Sequence, residues 1–164
     1  MHSDIYWIDA SLTGRLAIMA RPRAGDWLVD EIDNWRNAGI DCVVSLLEPS
    51  EVHELGLAEE AGLCRGKQMA FISFPIPDRQ VPSSINETLI LAGALHDLIA
   101  SGKAVAVHCR AGIGRSGLIA ACVLSRFDVE ALRAFSLISA ARGVAVPDTA
   151  KQRDWVQKFA GGLS

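Results

Sequence analysis

The chain has no excess of positive charge, since its 16 Lys and Arg are outnumbered by 19 Asp and Glu, for a formal net charge of −3. Proteins that bind nucleic acid present basic surfaces, so we expect no nucleic-acid partner. Long hydrophobic runs are also missing. The most apolar stretch, residues 117–124, is far shorter than the roughly 20 residues that cross a bilayer, so we expect no membrane partner.

Cysteine and histidine are few and dispersed. The four histidines do not cluster, and no Cys-x-x-C pair occurs among Cys42, Cys64, Cys109 and Cys122. This spacing is unlike that of zinc sites, so we expect no metal and no cofactor. The first residues also lack the basic segment and apolar core of a secretion signal. These absences predict a cytoplasmic protein in which Cys42, Cys64 and Cys122 are buried as small apolar residues.

Segments with the composition of strands alternate with segments of helical periodicity. The strands are predicted at residues 5–8, 16–20, 40–47, 69–74 and 104–108. The helices are predicted at residues 26–38, 51–64 with breaks at Gly56 and Gly62, 84–100, 116–125, 128–142 and 147–159. Asp26, Ser84 and Asp128 are the expected N-caps. We therefore expect one α/β domain over residues 1–164, with a mostly parallel sheet of about five strands and helices on both faces. The apolar runs at 40–47 and 69–74 predict strands buried on both faces.

One stretch combines a strand, a loop with two glycines and a helix in the order typical of anion-binding sites. Residues 105–117 read VAVHCRAGIGRSG. Gly112 and Gly114 can adopt the positive φ that turns backbone amides inward, and the N-terminus of the following helix attracts negative charge. Arg115 has a planar fork that can bind two phosphate oxygens, and the thiolate of Cys109 would be a nucleophile. The stretch predicts a phosphate site with a reactive thiol.

A cysteine followed by an arginine six positions later is a weak signal alone, but the complete string is specific. Residues 107–117, VHCRAGIGRSG, resemble the active-site signature of the cysteine-dependent protein tyrosine phosphatase superfamily. The short chain and the loop Pro75-Ile-Pro-Asp78 are most similar to the compact dual-specificity branch. The resemblance implies a phosphotyrosine protein phosphatase-like fold. It also implies a hydrolase that acts on phosphotyrosine, phosphoserine and phosphothreonine in proteins.

The resemblance implies roles for the residues that would carry the reaction. Cys109 would attack phosphorus and form a phosphocysteine intermediate. Arg115 would hold the phosphate oxygens together with the backbone of Arg110, Ala111, Gly112, Ile113 and Gly114. Asp78 would protonate the leaving group as the general acid and then act as the base on water.

Four further residues match the family in supporting roles. Ser116 would donate its hydroxyl to the thiolate, and His108 would keep the loop in shape rather than act as an acid or base. Gln152 resembles a glutamine that positions the water, and Arg142 resembles an arginine that braces the loop from behind.

The expected ligands follow from the same resemblance. The substrate would be a phosphorylated protein, and phosphate, sulfate or vanadate would bind the loop as product or inhibitor. The chain has no long insertion that could build a deep pocket wall, which favours a shallow pocket that admits phosphoserine as well as phosphotyrosine. We expect the protein to be a monomer.

Two alternatives keep the loop but change the function. The same chemistry can act on a non-protein phosphate, such as a phosphoinositide or a nucleic-acid 5′ end. Lipid-directed relatives carry two or more basic residues in the loop, whereas Arg110 is the only one between Cys109 and Arg115. The second alternative is a non-catalytic module that captures phosphorylated partners, although such modules usually lose the nucleophile, the arginine or the acid.

Several residues also have a plain structural interpretation. Cys109 can be a buried cysteine, Asp78 an ordinary turn residue, and Gln152 a solvated helix residue. Arg79 and Arg110 are either solvated charges or flank the mouth of the pocket and attract a phosphate dianion.

Overall fold

The computed structural model describes residues 3–162, so both ends of the expected domain lie outside the described residues. Its sheet has the order β1-β2-β5-β3-β4. The strands are β1 Ile5–Trp7, β2 Arg15–Met19, β3 Cys42–Ser45, β4 Ala70–Ser73 and β5 Ala104–His108. The edge strand β1 pairs antiparallel with β2, and the other neighbours pair in parallel. The predicted α/β fold with a mostly parallel five-stranded sheet is confirmed.

Seven α-helices lie within the described residues. They are α1 Leu28–Asn37, α2 Pro49–Glu54, α3 Glu60–Gly66, α4 Ile85–Ala100, α5 Gly114–Ser125, α6 Ala131–Arg142 and α7 Ala150–Gly161. No helix within residues 3–162 has the length and apolar composition needed to span a bilayer.

The central strand β5 shows how the helices cover both faces of the sheet. Val105 and Val107 belong to a hydrophobic core with residues of α4, α5, α6 and α7. Ala106, between them, belongs to a second core with residues of α1 and α3. Successive side chains of a strand point to opposite faces, so the near-continuous apolar run of β5 fits burial on both sides. Helices on both faces were predicted, and this is confirmed.

The parallel register brings three strand ends together. Ser45 at the end of β3 pairs with Ser73 of β4 and with His108 of β5. The loops after these strands therefore leave the same edge of the sheet. Ligands of parallel α/β sheets bind at the carboxyl ends of the strands, so this edge is the expected place for a site.

Two predicted N-caps are wrong. Asp26 lies inside a 3₁₀ turn at Gly25–Trp27, and α1 begins only at Leu28. This turn places the ring of Trp27 outside the core, where it is 54% exposed and lies 4.6 Å from the Arg23 guanidinium. Asp128 has a left-handed φ of 62°, so it cannot lead directly into a helix, and α6 begins at Ala131 after Glu130.

Two other segments also differ from the prediction. The stretch 51–64 is two helices: Gly56, with φ of 69°, follows α2, whereas Gly62 lies inside α3 and does not interrupt it. The strand β4 was predicted to be buried on both faces, but Ala70 and Ser73 are exposed because β4 lies at the edge of the sheet.

Other local predictions are confirmed. Ser84 Oγ accepts a hydrogen bond from the Glu87 amide at 3.1 Å, and α4 ends at Ala100. The three structural cysteines are buried, as expected. Burial raises the pKa of Cys42 to about 11 and the pKa of Cys64 to about 12, which keeps both as thiols.

Candidate active site

The loop that follows β5 wraps around the sulfur of Cys109. The Gly112 amide and the Ser116 hydroxyl each lie 3.3 Å from Sγ, which is buried at the floor of the site. Gly112 has φ of 73°, and a Cβ there would lie 2.6 to 2.7 Å from the backbone of Met19 and Ala20, so only glycine fits. The Gly112 amide donates to this sulfur, and in the contact with Ser116 either the hydroxyl or the thiol can be the donor. A thiolate, which can only accept hydrogen bonds, could accept both.

The guanidinium of Arg115 is 2% exposed and is held on two sides. Glu51 binds it through two bonds, Nη1 to Oε1 at 2.6 Å and Nη2 to Oε2 at 3.0 Å. Nη1 also donates to the Ile76 carbonyl at 2.9 Å, and Nη2 lies 3.2 Å from Asp78 Oδ1. Burial alone would lower the pKa of Arg115, but the bonds to Glu51 and the nearby acidic groups raise it overall. The cation is thus fixed beside the thiol before any anion binds.

Glu51 is the main residue of the site that the sequence interpretation missed. Burial alone would raise its pKa, but hydrogen bonds from Arg115, the Glu48 amide and Arg110 lower it below the ordinary value of 4.5. Glu51 lies in the first turn of α2, where its Oε1 accepts the Glu48 amide at 3.0 Å. The motif Glu48-Pro-Ser-Glu51 is a visible helix-start signal directly after β3. It could have placed this carboxylate at the functional edge, but not shown its contact with Arg115.

Asp78 lies where the loop after β4 meets the signature loop. The backbone of Phe74 and Ile76 still bonds to Ser45 and Leu46, which extends the pairing with β3 up to the turn. Asp78 follows this anchored segment, and its carboxyl group is 59% exposed while it contacts Arg115. The structure therefore brings Asp78 into the same site as Cys109 and Arg115, although Asp78 precedes Cys109 by 31 residues in the sequence.

His108 lies behind the loop and is fully buried. Its Nδ1 is 3.2 Å from the Cys109 carbonyl, and its Nε2 is 2.6 Å from Oε2 of Glu60 on α3. The ring therefore joins the backbone at Cys109 to a helix on the opposite face from α5. Glu60, also buried, is a second residue that the sequence interpretation missed, because nothing in its neighbourhood along the chain marks it.

Two residues of the last helices contact the loop region. Arg142 donates from Nε to the Gly112 carbonyl at 3.2 Å and from Nη2 to the Ala111 carbonyl at 3.3 Å, the position of a brace. Gln152 is fully buried, so its interpretation as a solvated helix residue is wrong. Its Nε2 donates to the Gln80 carbonyl at 3.1 Å, which ties α7 to the loop that carries Asp78.

These groups surround a pocket of about 200 Å³. Its wall is formed by Asp78, Arg79, Cys109, Arg110, Ala111, Ile113, Gly114, Arg115, Asp148 and Gln152. The two other arginines of the wall form ion pairs while their side chains stay exposed to solvent, Arg79 to 67% and Arg110 to 40%. Arg79 lies 3.6 Å from Asp148, and Arg110 lies 3.3 Å from both Glu51 and Glu54. The residues that form the wall do not include Gly112, Ser116 and His108, which contact Cys109 instead.

Comparison with known proteins identifies the family and the fold of the chain. Residues 17–128 match the family model "Polymorphic toxin system, DSP-PTPase phosphatase". The chain belongs to this phosphatase family. The chain is also 42% identical over 62 residues to a protein of Invertebrate iridescent virus 6 that is named as tyrosine phosphatase 197R. That match spans 35% of the chain and only 23% of the length of the viral protein.

Solved structures show the same fold over nearly the full length of this chain. Kinase associated phosphatase, solved with its catalytic cysteine replaced by serine, matches with a TM-score of 0.89 at 19% identity, over 99% of this chain and 97% of that one. Tk-PTP in its active form matches with a TM-score of 0.78 at 25% identity, over 96% of each chain. PTPMT1 in complex with PI(5)P matches with a TM-score of 0.76 at 16% identity, over 96% of each chain.

Replacing Glu51 by Gln tests whether this carboxylate holds Arg115. Removing one partner of a buried ion pair costs on the order of 3 to 5 kcal/mol, so we expect E51Q to lower the free energy of unfolding by about 3 kcal/mol at pH 7 in urea titrations. The depressed pKa of folded Glu51 means that its contribution is present above the ordinary value of 4.5. The contribution is lost as the pH falls from 4.5 through the pKa of folded Glu51, so the free energies of unfolding of the parent protein and E51Q should converge in acid.

Glu54→Gln is the matched control for this experiment, because Glu54 is on the same helix but binds Arg110 at the exposed mouth. Exposed pairs contribute little, so E54Q should unfold at the urea concentration of the parent protein. Equal stability of E51Q and E54Q at pH 7 would contradict the assignment.

Proposed function

We propose that this phosphatase hydrolyses phosphotyrosine, and also phosphoserine and phosphothreonine, in proteins through a phosphocysteine intermediate. The observation that carries the proposal is the meeting of three groups at one pocket. They are the Cys109 thiol, the buried Arg115 guanidinium and the exposed Asp78 carboxyl, which touches Arg115 at 3.2 Å. Nucleophile, anion clamp and proton donor are the groups that phosphoryl transfer to a thiol requires.

In the first step, the Cys109 thiolate attacks phosphorus in line with the leaving oxygen. The backbone amides of residues 110–114 and Arg115 would hold the three equatorial oxygens, whose charge they meet in the transition state. Asp78 protonates the leaving oxygen as the P–O bond breaks. An alkoxide leaving group needs this proton more than an activated aryl oxide does, because the alkoxide is the stronger base.

In the second step, water replaces the sulfur on phosphorus. The departing thiolate of Cys109 can accept hydrogen bonds from the Gly112 amide and the Ser116 hydroxyl, each 3.3 Å from Sγ. His108 and Arg142 act on the loop and not on the substrate, since they contact the carbonyls of Cys109, Ala111 and Gly112. Gln152 belongs to the pocket wall, where it can contact the water.

The charges at the mouth favour a substrate with one phosphate. Arg110 is the only basic residue in the loop between Cys109 and Arg115. It is engaged by Glu51 and Glu54, so a second phosphate would have to compete with two carboxylates for this guanidinium. This arrangement supports a phosphorylated side chain as the substrate over a polyphosphorylated lipid headgroup.

Cys109→Ser should abolish turnover of p-nitrophenyl phosphate, because a serine hydroxyl is not ionised near neutral pH. The variant should still bind phosphate or vanadate, since the loop amides and Arg115 remain, and isothermal titration calorimetry measures this binding. Turnover retained by C109S would rule out the phosphocysteine mechanism.

The substrate class is decided by comparing kcat/KM on phosphotyrosine and phosphoserine peptides with kcat/KM on soluble phosphoinositides. Faster turnover of the lipids would overturn the protein assignment.

Asp78→Asn should slow hydrolysis of an alkyl phosphate by about 10² to 10⁴-fold, the usual contribution of a general acid. The same variant should slow p-nitrophenyl phosphate much less, because that leaving group departs without a proton. The aryl ester is thus an internal control for folding and binding. Equal losses on both esters would show that Asp78 is not the acid.

A further inference from the structure

A second carboxylate lies in the pocket beside Gln152, and the mechanism above does not use it. Asp148 stands two residues before α7, and Gln152 lies in the first turn of that helix. Both border Gly114, the first residue of α5: a Cβ there would lie 2.7 Å from Asp148 Oδ1 and 3.0 Å from Gln152 Oε1. Two acceptor oxygens therefore converge next to the phosphate-binding loop.

The amide of Gln152 has an unmet hydrogen-bonding requirement. Its Nε2 donates to the Gln80 carbonyl, which fixes the orientation of the amide because a flipped amide would set two acceptors against each other. Its Oε1 is buried and has no hydrogen-bond partner within the described part of the chain. A buried acceptor needs a donor, and the neighbouring carboxylate of Asp148 cannot supply one when ionised. A molecule with two O–H donors between the oxygens satisfies both.

We propose that Asp148 and Gln152 hold the water that hydrolyses the phosphocysteine, and that Asp148 takes its proton. The inference rests on the proposed function. One O–H of the water donates to Gln152 Oε1 and the other to Asp148 Oδ1, which leaves an oxygen lone pair for phosphorus. As the O–P bond forms and the S–P bond breaks, the electron pair of the latter returns to Cys109 and the proton passes to Asp148. Solvent then receives it, since the Asp148 side chain is 39% exposed.

The two carboxylates thereby divide the two steps. Asp78 touches Arg115, which clamps the phosphate, and must carry a proton when the leaving oxygen departs. Asp148 lies near the Arg79 guanidinium, at 3.6 Å, and must be ionised when water attacks. The family resemblance assigns both tasks to Asp78, which becomes a base once it has given its proton to the leaving oxygen. With Asp148 as the base, Asp78 regains a proton from solvent and Asp148 loses one to solvent in each turnover, which their exposed side chains allow.

Asp148 could also act on the reaction indirectly. Its ion pair with Arg79 could hold the loop that carries Asp78, and loss of Asp148 would then slow the first step. Arg79→Ala removes this ion pair and leaves the carboxylate in place, so it is the matched control for Asp148→Asn.

Rapid mixing with p-nitrophenyl phosphate separates the steps, because nitrophenolate is released in the first. In D148N we expect a burst of nearly one nitrophenolate per enzyme at the parental first-step rate, then a steady state at least tenfold slower. Intact mass after a denaturing quench should show the phosphorylated protein accumulating in D148N. R79A should show no accumulation. D78N should show none either, because with an alkyl phosphate its slow step is the first one, before the phosphocysteine forms.

Methanol provides a measurement that loss of structure would not mimic. Methanol has one O–H and cannot satisfy both acceptors, so it should intercept the parental intermediate poorly, and D148N should raise the ratio of methyl phosphate to phosphate severalfold. Asp148→Ala repeats both measurements if the asparagine variant is unstable. Three results would overturn the proposal. They are turnover at the parental rate in D148N and D148A, accumulation of phosphorylated protein in R79A, and a ratio of methyl phosphate to phosphate that is unchanged in D148N. If no variant and no parental protein forms phosphocysteine, the proposed function itself fails instead.

Discussion

The buried ion pair between Arg115 and Glu51 is the interaction on which the site depends. A guanidinium removed from water is stable only with a partner, and Glu51 supplies one through two hydrogen bonds, one to each Nη. The same guanidinium contacts the Ile76 carbonyl and Asp78. One side chain therefore links α2, the loop after β4 and the start of α5. The cationic side of the anion site is organised before a phosphate arrives, which is the arrangement that stabilises charge in a transition state without further reorganisation.

The parallel sheet explains why these groups can meet. Its strands deliver three loops to one edge, and each loop contributes a different chemical property: Glu51 after β3, Asp78 after β4, and Cys109 after β5. The loop after β5 is further held from behind by Arg142 and from the other face by His108 and Glu60. The proposed reaction needs phosphorus held in one place beside an acid that the leaving group can reach, and a braced loop next to the exposed Asp78 carboxyl suits it.

The sequence predicted the parts of the site that are contiguous, because the signature from His108 to Ser116 and the loop with Asp78 are local patterns. It could not predict Glu51 and Glu60, which meet their partners 64 and 48 residues away. A glutamate early in a helix looks the same whether it caps the helix or also binds a buried arginine. The errors have related causes. Helical periodicity could not foresee the 3₁₀ turn that exposes Trp27, and composition could not foresee that β4 lies at an edge.

The proposed mechanism requires Cys109 to carry the phosphoryl group during turnover. This requirement is tested by mixing the enzyme with a phosphorylated peptide, quenching within the first turnover and mapping the modified peptide by mass spectrometry. We predict one phosphoryl group on the peptide that contains Cys109, present only during turnover. A phosphoryl group on another residue would show that Cys109 is not the nucleophile. Steady turnover with direct release of phosphate and no phosphorylated enzyme at any time point would show that no phosphocysteine forms.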